Sequence, residues 1–152
     1  MVLLIVIAIA LLLVAGSVLV HYEVLRFTSE LIPRLSTSTR SKVLVVIAGV
    51  FGAHVAEICL FAAGYALMDH FPTLGTIAGQ FGRTGLDFFY FSITSYTTLG
   101  VGDLFPHGGL RLIAGLEALI GFVLIGWSAS FTYLAMEKFW QDTPRSRRKP
   151  PM

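Results

Sequence analysis

The 152-residue sequence predicts an all-α membrane protein: three transmembrane helices, with a short re-entrant helix and an extended stretch between the second and the third. Three observations predict it. Only 13% of the residues are charged and 55% are hydrophobic, with a mean hydropathy of +0.78, whereas a soluble domain carries about 25% charged residues. Long apolar runs recur at residues 1–20, 43–68 and 109–137, each long enough to cross a hydrocarbon core of about 30 Å at 1.5 Å per residue. Between the last two runs, a segment with helix-start chemistry precedes Thr97-Thr98-Leu99-Gly100-Val101-Gly102-Asp103, in which glycines alternate with branched apolar residues.

Residues 1–20 carry no charge, and Gly16 and Ser17 are their only small interruptions. A cleaved signal peptide needs a basic leader and a shorter apolar core. Here the positive charges follow the run, so it reads as a span with its N-terminus outside. Residues 21–42 form a linker in which Arg26, Arg34, Arg40 and Lys42 outnumber Glu23 and Glu30. The positive-inside rule makes it cytoplasmic. Tyr22, Leu25, Phe27, Leu31 and Leu35 share one side of a helix broken near Pro33. That describes either an amphipathic piece at the inner interface or a linker helix docked on the bundle.

Residues 43–137 hold the second and third apolar runs and the loop between them, and read as one unit. Its outer helix, 43–68, contains His54, Glu57 and Cys59 within apolar sequence. The lone cysteine can form no intrachain disulfide and reads as a small buried hydrophobe. His54 and Glu57 are three residues apart, on one helical face. Ionisable groups at membrane depth are costly and face protein or water. The pair is either proton-sensitive or ion-linked or, as the preferred reading, a hydrogen-bonded clamp between helices. No nucleophile constellation accompanies His54, Glu57 and Glu117, so an enzyme is not expected, and a metal site there would need more convergent ligands.

Residues 69–111 hold Asp69, Asp87 and Asp103 against Arg83 and Arg111, as an external loop would. Phe71-Pro72-Thr73 and Gly75 mark irregular chain. Thr84 and Asp87 fit a capping box that opens a helix over 84–97. At roughly 20 Å it is too short to span. It is long enough to dip halfway in and hand over to Thr98, provided that protein buries it. Phe88, Phe89, Tyr90 and Phe91 supply that cover. Its C-terminal end, carrying roughly −0.5 charge, would then point at the membrane centre.

Glycine visits positive φ freely, so the stretch 98–102 can turn successive carbonyls to one side. Such a row replaces a cation's hydration shell in potassium filters built from Thr-Val-Gly-Tyr-Gly. The inner helix, 109–137, holds Glu117 in its outer half, with Gly121 and Gly126 as possible hinges or close-packing points. Trp127-Ser128-Ala129-Ser130 and Trp140 approach the inner interface. Residues 138–152 form a basic cytoplasmic tail with Lys138, Arg145, Arg147, Arg148 and Lys149, able to meet membrane lipid. Nine of the eleven Lys and Arg residues fall in the linker and the tail, which sets the N-terminus outside and the C-terminus in the cytoplasm.

From about Thr84 to Ser130 the sequence resembles the pore domain of potassium channels, through Ser95-Tyr96-Thr97-Thr98-Leu99-Gly100-Val101-Gly102-Asp103-Leu104-Phe105-Pro106 and an inner helix with Gly121. The whole resembles a small bacterial channel of the two-transmembrane type with an extra N-terminal helix. The resemblance implies a multi-pass protein of the cell inner membrane and a tetrameric pore domain, in which each chain meets three identical subunits. It implies potassium, or sodium, held by Thr98, Leu99, Gly100 and Val101, with Gly102 closing the filter. Thr97, Asp103 and Thr94 would support the filter, with Glu117 supplying a carboxylate from the neighbouring helix. Conducted monovalent cations are the only ions expected, with no cofactor and no nucleic-acid partner. Val101 stands where the family has an aromatic, and Leu99 where it has valine. The expected function is passive potassium conduction, the alternatives being a weakly selective cation channel and a non-conducting subunit. An Arg-rich voltage sensor is not expected, because residues 1–20 are uncharged.

Overall fold

The computed structural model describes residues 1–141, so Arg145, Arg147, Arg148 and Lys149 of the expected basic tail lie outside the described residues. Three helices dominate: α1 (Val2–Leu31), α2 (Thr39–Asp69) and α4 (Leu110–Gln141). All three are long and apolar enough to cross a membrane. Between α2 and α4 lie a strand β1 (Gly75–Gly79), the short helix α3 (Gly85–Tyr96) and a strand β2 (Leu104–Gly108).

The linker differs from its expected form. Helix α1 does not stop near residue 20 but continues to Leu31, and a single 3₁₀ turn, Ile32–Arg34, closes it around Pro33. The charges beyond residue 20 do not break the helix because they pair with one another on its exposed side. Arg26 reaches Glu23 at 3.3 Å and Glu30 at 3.1 Å. The opposite side is one continuous buried stripe of Val6, Ala10, Leu13, Ser17, His21, Leu25 and Thr28, at the three- and four-residue spacing of a packed helix face. Ser38 then caps α2 by accepting a hydrogen bond from the Ser41 amide. Cys59, expected inside, is exposed on α2; apolar neighbours in sequence occupy all sides of a membrane helix, so they do not mark its inner face.

β1 and β2 pair antiparallel, from Gly75 opposite Gly108 to Gly79 opposite Leu104. This ribbon replaces the irregular chain expected around Gly75. The partners are separated by all of α3 and the stretch after it, so no tight-turn signature announces the pairing. Pro106, opposite Ile77, is compatible with a two-stranded ribbon because both strands are edges. Gly75, with φ +142°, is required by closeness: a Cβ there would stand 2.5 Å from the His107 carbonyl oxygen.

α3 begins with a complete capping box. The Thr84 hydroxyl accepts from the Asp87 amide at 3.2 Å, and the Asp87 carboxylate accepts from the Thr84 amide at 2.9 Å. The Thr84 amide and, at 2.8 Å, the Thr84 hydroxyl both donate to that carboxylate, and they hold the Asp87 carboxyl below its ordinary pKa. Of the four consecutive aromatics in the helix, Phe88 and Phe91 turn inward while Phe89 is half-buried and Tyr90 exposed. Phe88 meets Phe81 edge-on and Phe91 meets Tyr65 edge-on, with ring centroids 5.0 and 4.9 Å apart, a favourable aromatic geometry.

The interior is layered. One apolar core gathers Val6, Leu13, Phe61, Tyr65, Met68, Ile77, Phe88, Phe91, Leu110 and Ile113. A smaller one joins Ile32, Val46 and Phe139. Between them, the buried polar residues His21, Glu57, Ser92, Glu117 and Ser128 form a middle layer at the C-terminal half of α3.

Candidate ion pathway and the polar layer behind it

The end of α3 is folded under itself. The Thr97 amide bonds to the Ile93 carbonyl, the Thr98 amide to Ser95 at 2.9 Å and the Gly100 amide to Thr94 at 3.1 Å. From there φ is positive at Thr98 (58°), Gly100 (54°) and Gly102 (88°). The intervening Leu99 and Val101 therefore alternate with left-handed residues. Glycine takes that conformation without penalty, whereas Thr98 is strained there. The strand is exposed from Thr97 to Asp103 within the single chain, with Leu99 68% and Val101 55% accessible.

The residues expected to support this stretch fall into two groups. Thr94 and Thr97 spend their hydroxyls inside α3, on the carbonyls of Phe91 (2.9 Å) and Ile93 (2.6 Å). Thr94 reaches the stretch through its backbone carbonyl alone. Asp103 caps the start of β2 by accepting from the Leu104 amide at 3.0 Å, and its carbonyl accepts from the Gln80 amide.

Glu117 is fully buried on α4, behind α3. Its Oε1 lies 2.6 Å from the Ser92 hydroxyl of α3, and its Oε2 accepts from the Tyr65 hydroxyl of α2. The Ser92 hydroxyl also lies 2.8 Å from the Ile58 carbonyl, so one proton faces two acceptors. One carboxylate thus ties α2, α3 and α4 together.

Glu57 builds a second junction. Its Oε1 accepts from His21 Nδ1 at 2.8 Å, while its Oε2 accepts from the Tyr96 hydroxyl and lies 3.3 Å from His54 Nδ1. The Tyr96 hydroxyl is itself 2.8 Å from His54 Nδ1. Ser128 closes the ring from α4, with its hydroxyl 3.0 Å from His54 Nε2 and 3.3 Å from His21 Nε2. His54 and Glu57 do share a face, but they form part of a five-residue cluster that joins all four helices. His21, Tyr96 and Ser128 were not identified from the sequence. The signal for His21 was present: carrying the α1 stripe past residue 20 at the same spacing lands on it.

Gly121 and Gly126 sit in an unbroken α4. At Gly121 an added Cβ would lie 2.3 Å from the Tyr96 carbonyl oxygen, whereas at Gly126 it would meet nothing within 4 Å. Gly121 therefore lets α4 press against the end of α3.

Three helices able to cross a membrane, with a short capped helix and a glycine-alternating strand slung between two of them, define a membrane protein with a re-entrant loop. The chain belongs to an ion channel family, whose model matches residues 53–138, more than half of its length. The match spans the C-terminal half of α2, all of β1, α3 and β2 with the stretch between them, and nearly all of α4, while α1 lies outside it. No curated protein and no solved structure matches the chain.

Proposed function

We propose that this ion channel protein is a homotetrameric potassium channel of the cell inner membrane, with its N-terminus outside, and that Thr98 to Gly102 form its filter. The observation that carries the reading is the alternation of positive φ at Thr98, Gly100 and Gly102 directly after α3. Such alternation aims successive carbonyls to one side, as a dehydrated cation requires. Carbonyls of Thr98, Leu99, Gly100 and Val101 would hold the ions, and the C-terminal end of α3 adds negative potential. One strand per chain cannot enclose an axis, and a closed ring of copies is the ordinary solution. The exposed Leu99 and Val101 side chains would then be covered by neighbouring copies.

A weakly selective monovalent cation channel is the second reading, favoured by Val101. It offers neither an aromatic wedge nor a hydroxyl to the surrounding helices. Flux into proteoliposomes, together with the mass of the intact assembly, tests both readings. Four chains passing potassium but little sodium support the first. Passage of both ions supports the second. A folded tetramer that passes neither is a non-conducting subunit and overturns both.

A further inference from the structure

Among the described residues, one cluster has the make-up of a transition-metal site. His21, His54 and Glu57 each present a ligand atom, and all three atoms lie within 4.8 Å of one another. The two imidazoles point the same ring nitrogen, Nδ1, at opposite oxygens of one carboxylate, at 2.8 and 3.3 Å. Zinc bonds of 2.0–2.2 Å in a tetrahedral arrangement place ligand atoms about 3.3 Å apart. Each imidazole nitrogen already stands near that separation from a Glu57 oxygen, and no two of the three ligand atoms are more than 4.8 Å apart.

The outer partners fit too. A metal-ligating histidine donates its other N–H to an oxygen, which fixes the ring and its tautomer. Here both Nε2 atoms meet one acceptor, Ser128 Oγ, at 3.3 and 3.0 Å. A serine oxygen has two lone pairs and one proton. When both Nδ1 atoms carry protons towards Glu57, Ser128 has one proton for two acceptors. When a metal takes both Nδ1 atoms, both rings carry Nε2–H and Ser128 accepts from each. The tautomer that binds metal is the one the hydroxyl satisfies completely. One turn before His21 on the same buried stripe, the Ser17 hydroxyl has no hydrogen-bond partner among the described residues, and a buried orphan of this kind calls for a ligand or water to satisfy it.

We infer that His21, His54 and Glu57 bind one divalent transition ion of the zinc class per chain, with Ser128 as their outer partner and Tyr96 linking the ion to the filter strand. Two imidazoles and one carboxylate suit zinc, cobalt or nickel and disfavour magnesium and calcium, which prefer all-oxygen shells. His54, whose side chain is 16% exposed, offers the entry path, whereas His21 and Glu57 are fully buried. The Tyr96 hydroxyl bonds both Glu57 and His54. An ion that claims those two groups either recruits the phenol as its fourth ligand or leaves it bonded to the free oxygen of Glu57 alone. Tyr96 is the last residue of α3, so either outcome acts one residue before Thr97. The site does not depend on which cation the filter passes.

The test is a titration of the full-length protein in lipid nanodiscs with Co²⁺, read by its visible absorption, and with Zn²⁺, read by equilibrium dialysis. One saturable ion per chain with a tetrahedral cobalt spectrum is expected. The Ser128→Ala variant should weaken binding about 10- to 100-fold, as loss of an outer partner does. His21→Gln and His54→Gln, made separately in case one fails to fold, should each abolish the cobalt spectrum. The triple variant His70→Asn/His107→Asn/Cys59→Ser removes exposed alternative ligands and should bind as the parent does. Absence of saturable binding to the parent protein overturns the site, as does binding that survives both His21→Gln and His54→Gln. Cation flux that is unchanged at full zinc occupancy overturns the link to the filter.

Discussion

Gly121 of α4 lies against the backbone of Tyr96, and a methyl group there would stand 2.3 Å from the Tyr96 carbonyl oxygen. Helix α4 therefore touches the chain two residues before Thr98, where the proposed filter begins. Gly121→Ala must push the two apart, at a cost of about 1–3 kcal/mol in overpacking. Gly126→Ala meets open space and should stabilise by up to about 1 kcal/mol through helix propensity. Thermal unfolding of both variants checks the contrast, and equal effects would remove the contact from consideration.

Tyr96→Phe deletes a hydroxyl that serves Glu57 and His54 together. The acceptor left behind on Glu57 is buried, so the loss should cost roughly 1–3 kcal/mol. The ring itself stays, so packing is preserved. Unfolding measurements in nanodiscs give the cost directly, and a change in flux at unchanged fold would show that the junction also acts on the strand.

Glu117→Gln and Glu117→Ala should separate cleanly. In the parent the Ser92 hydroxyl lies 2.6 Å from Glu117 Oε1 and 2.8 Å from the Ile58 carbonyl; a glutamine amide can donate to the Ser92 oxygen and leave the Ser92 proton to the Ile58 carbonyl. Its carbonyl still accepts from Tyr65. Alanine leaves the Ser92 hydroxyl its bond to the Ile58 carbonyl but takes the acceptor from the buried Tyr65 hydroxyl, at a cost of about 1–3 kcal/mol. If Glu117→Ala unfolds at the same temperature as the parent, the three-helix tie contributes nothing. If Glu117→Gln leaves conduction and inactivation unchanged, the carboxylate has no charged role behind the filter.

The capping box carries a pH signature. The Asp87 carboxyl is held below its ordinary value of 3.8 by its bonds to Thr84. A group whose folded pKa is depressed contributes stability above the unfolded value and loses it as pH falls through the folded one. The parent should therefore be more stable than Asp87→Asn at neutral pH, and the difference should close below about pH 4. Thr84→Ala, which removes the cap's other half, should cost about 1 kcal/mol. Parallel unfolding curves from pH 7 to pH 3 provide the measurement, and a difference that does not vary with pH would deny the carboxylate its role.

Val101→Tyr places an aromatic beside the backbone of the proposed filter. The expected outcome is a higher potassium-to-sodium flux ratio in the variant than in the parent. An unchanged ratio would show that position 101 does not set selectivity.

What the sequence disclosed follows physical range. Apolar runs announced α1, α2 and α4, because a membrane imposes length and hydropathy on each span separately. The Thr84–Asp87 box announced α3, because capping is a contact between residues three apart. Alternating glycines announced the strand after it, because φ is a property of single residues. The β1–β2 ribbon stayed hidden, because Gly75 and Gly108 meet only after the whole loop between them is in place. His21 was hidden for another reason. Composition turns polar after residue 20, and polarity looks like a linker until Arg26, Glu23 and Glu30 are seen to pair on one side while His21 continues the stripe on the other.

The ribbon carries a further consequence. Gly79 and Leu104 face each other, so the chain leaves and rejoins the bundle at points about one strand spacing, some 5 Å, apart. Residues 80–103 therefore behave as a cassette with adjacent ends. A loop of different length or chemistry can be exchanged there without changing the register of α2 or α4, so the proposed ion pathway can diverge while the helices on either side of it stay as they are.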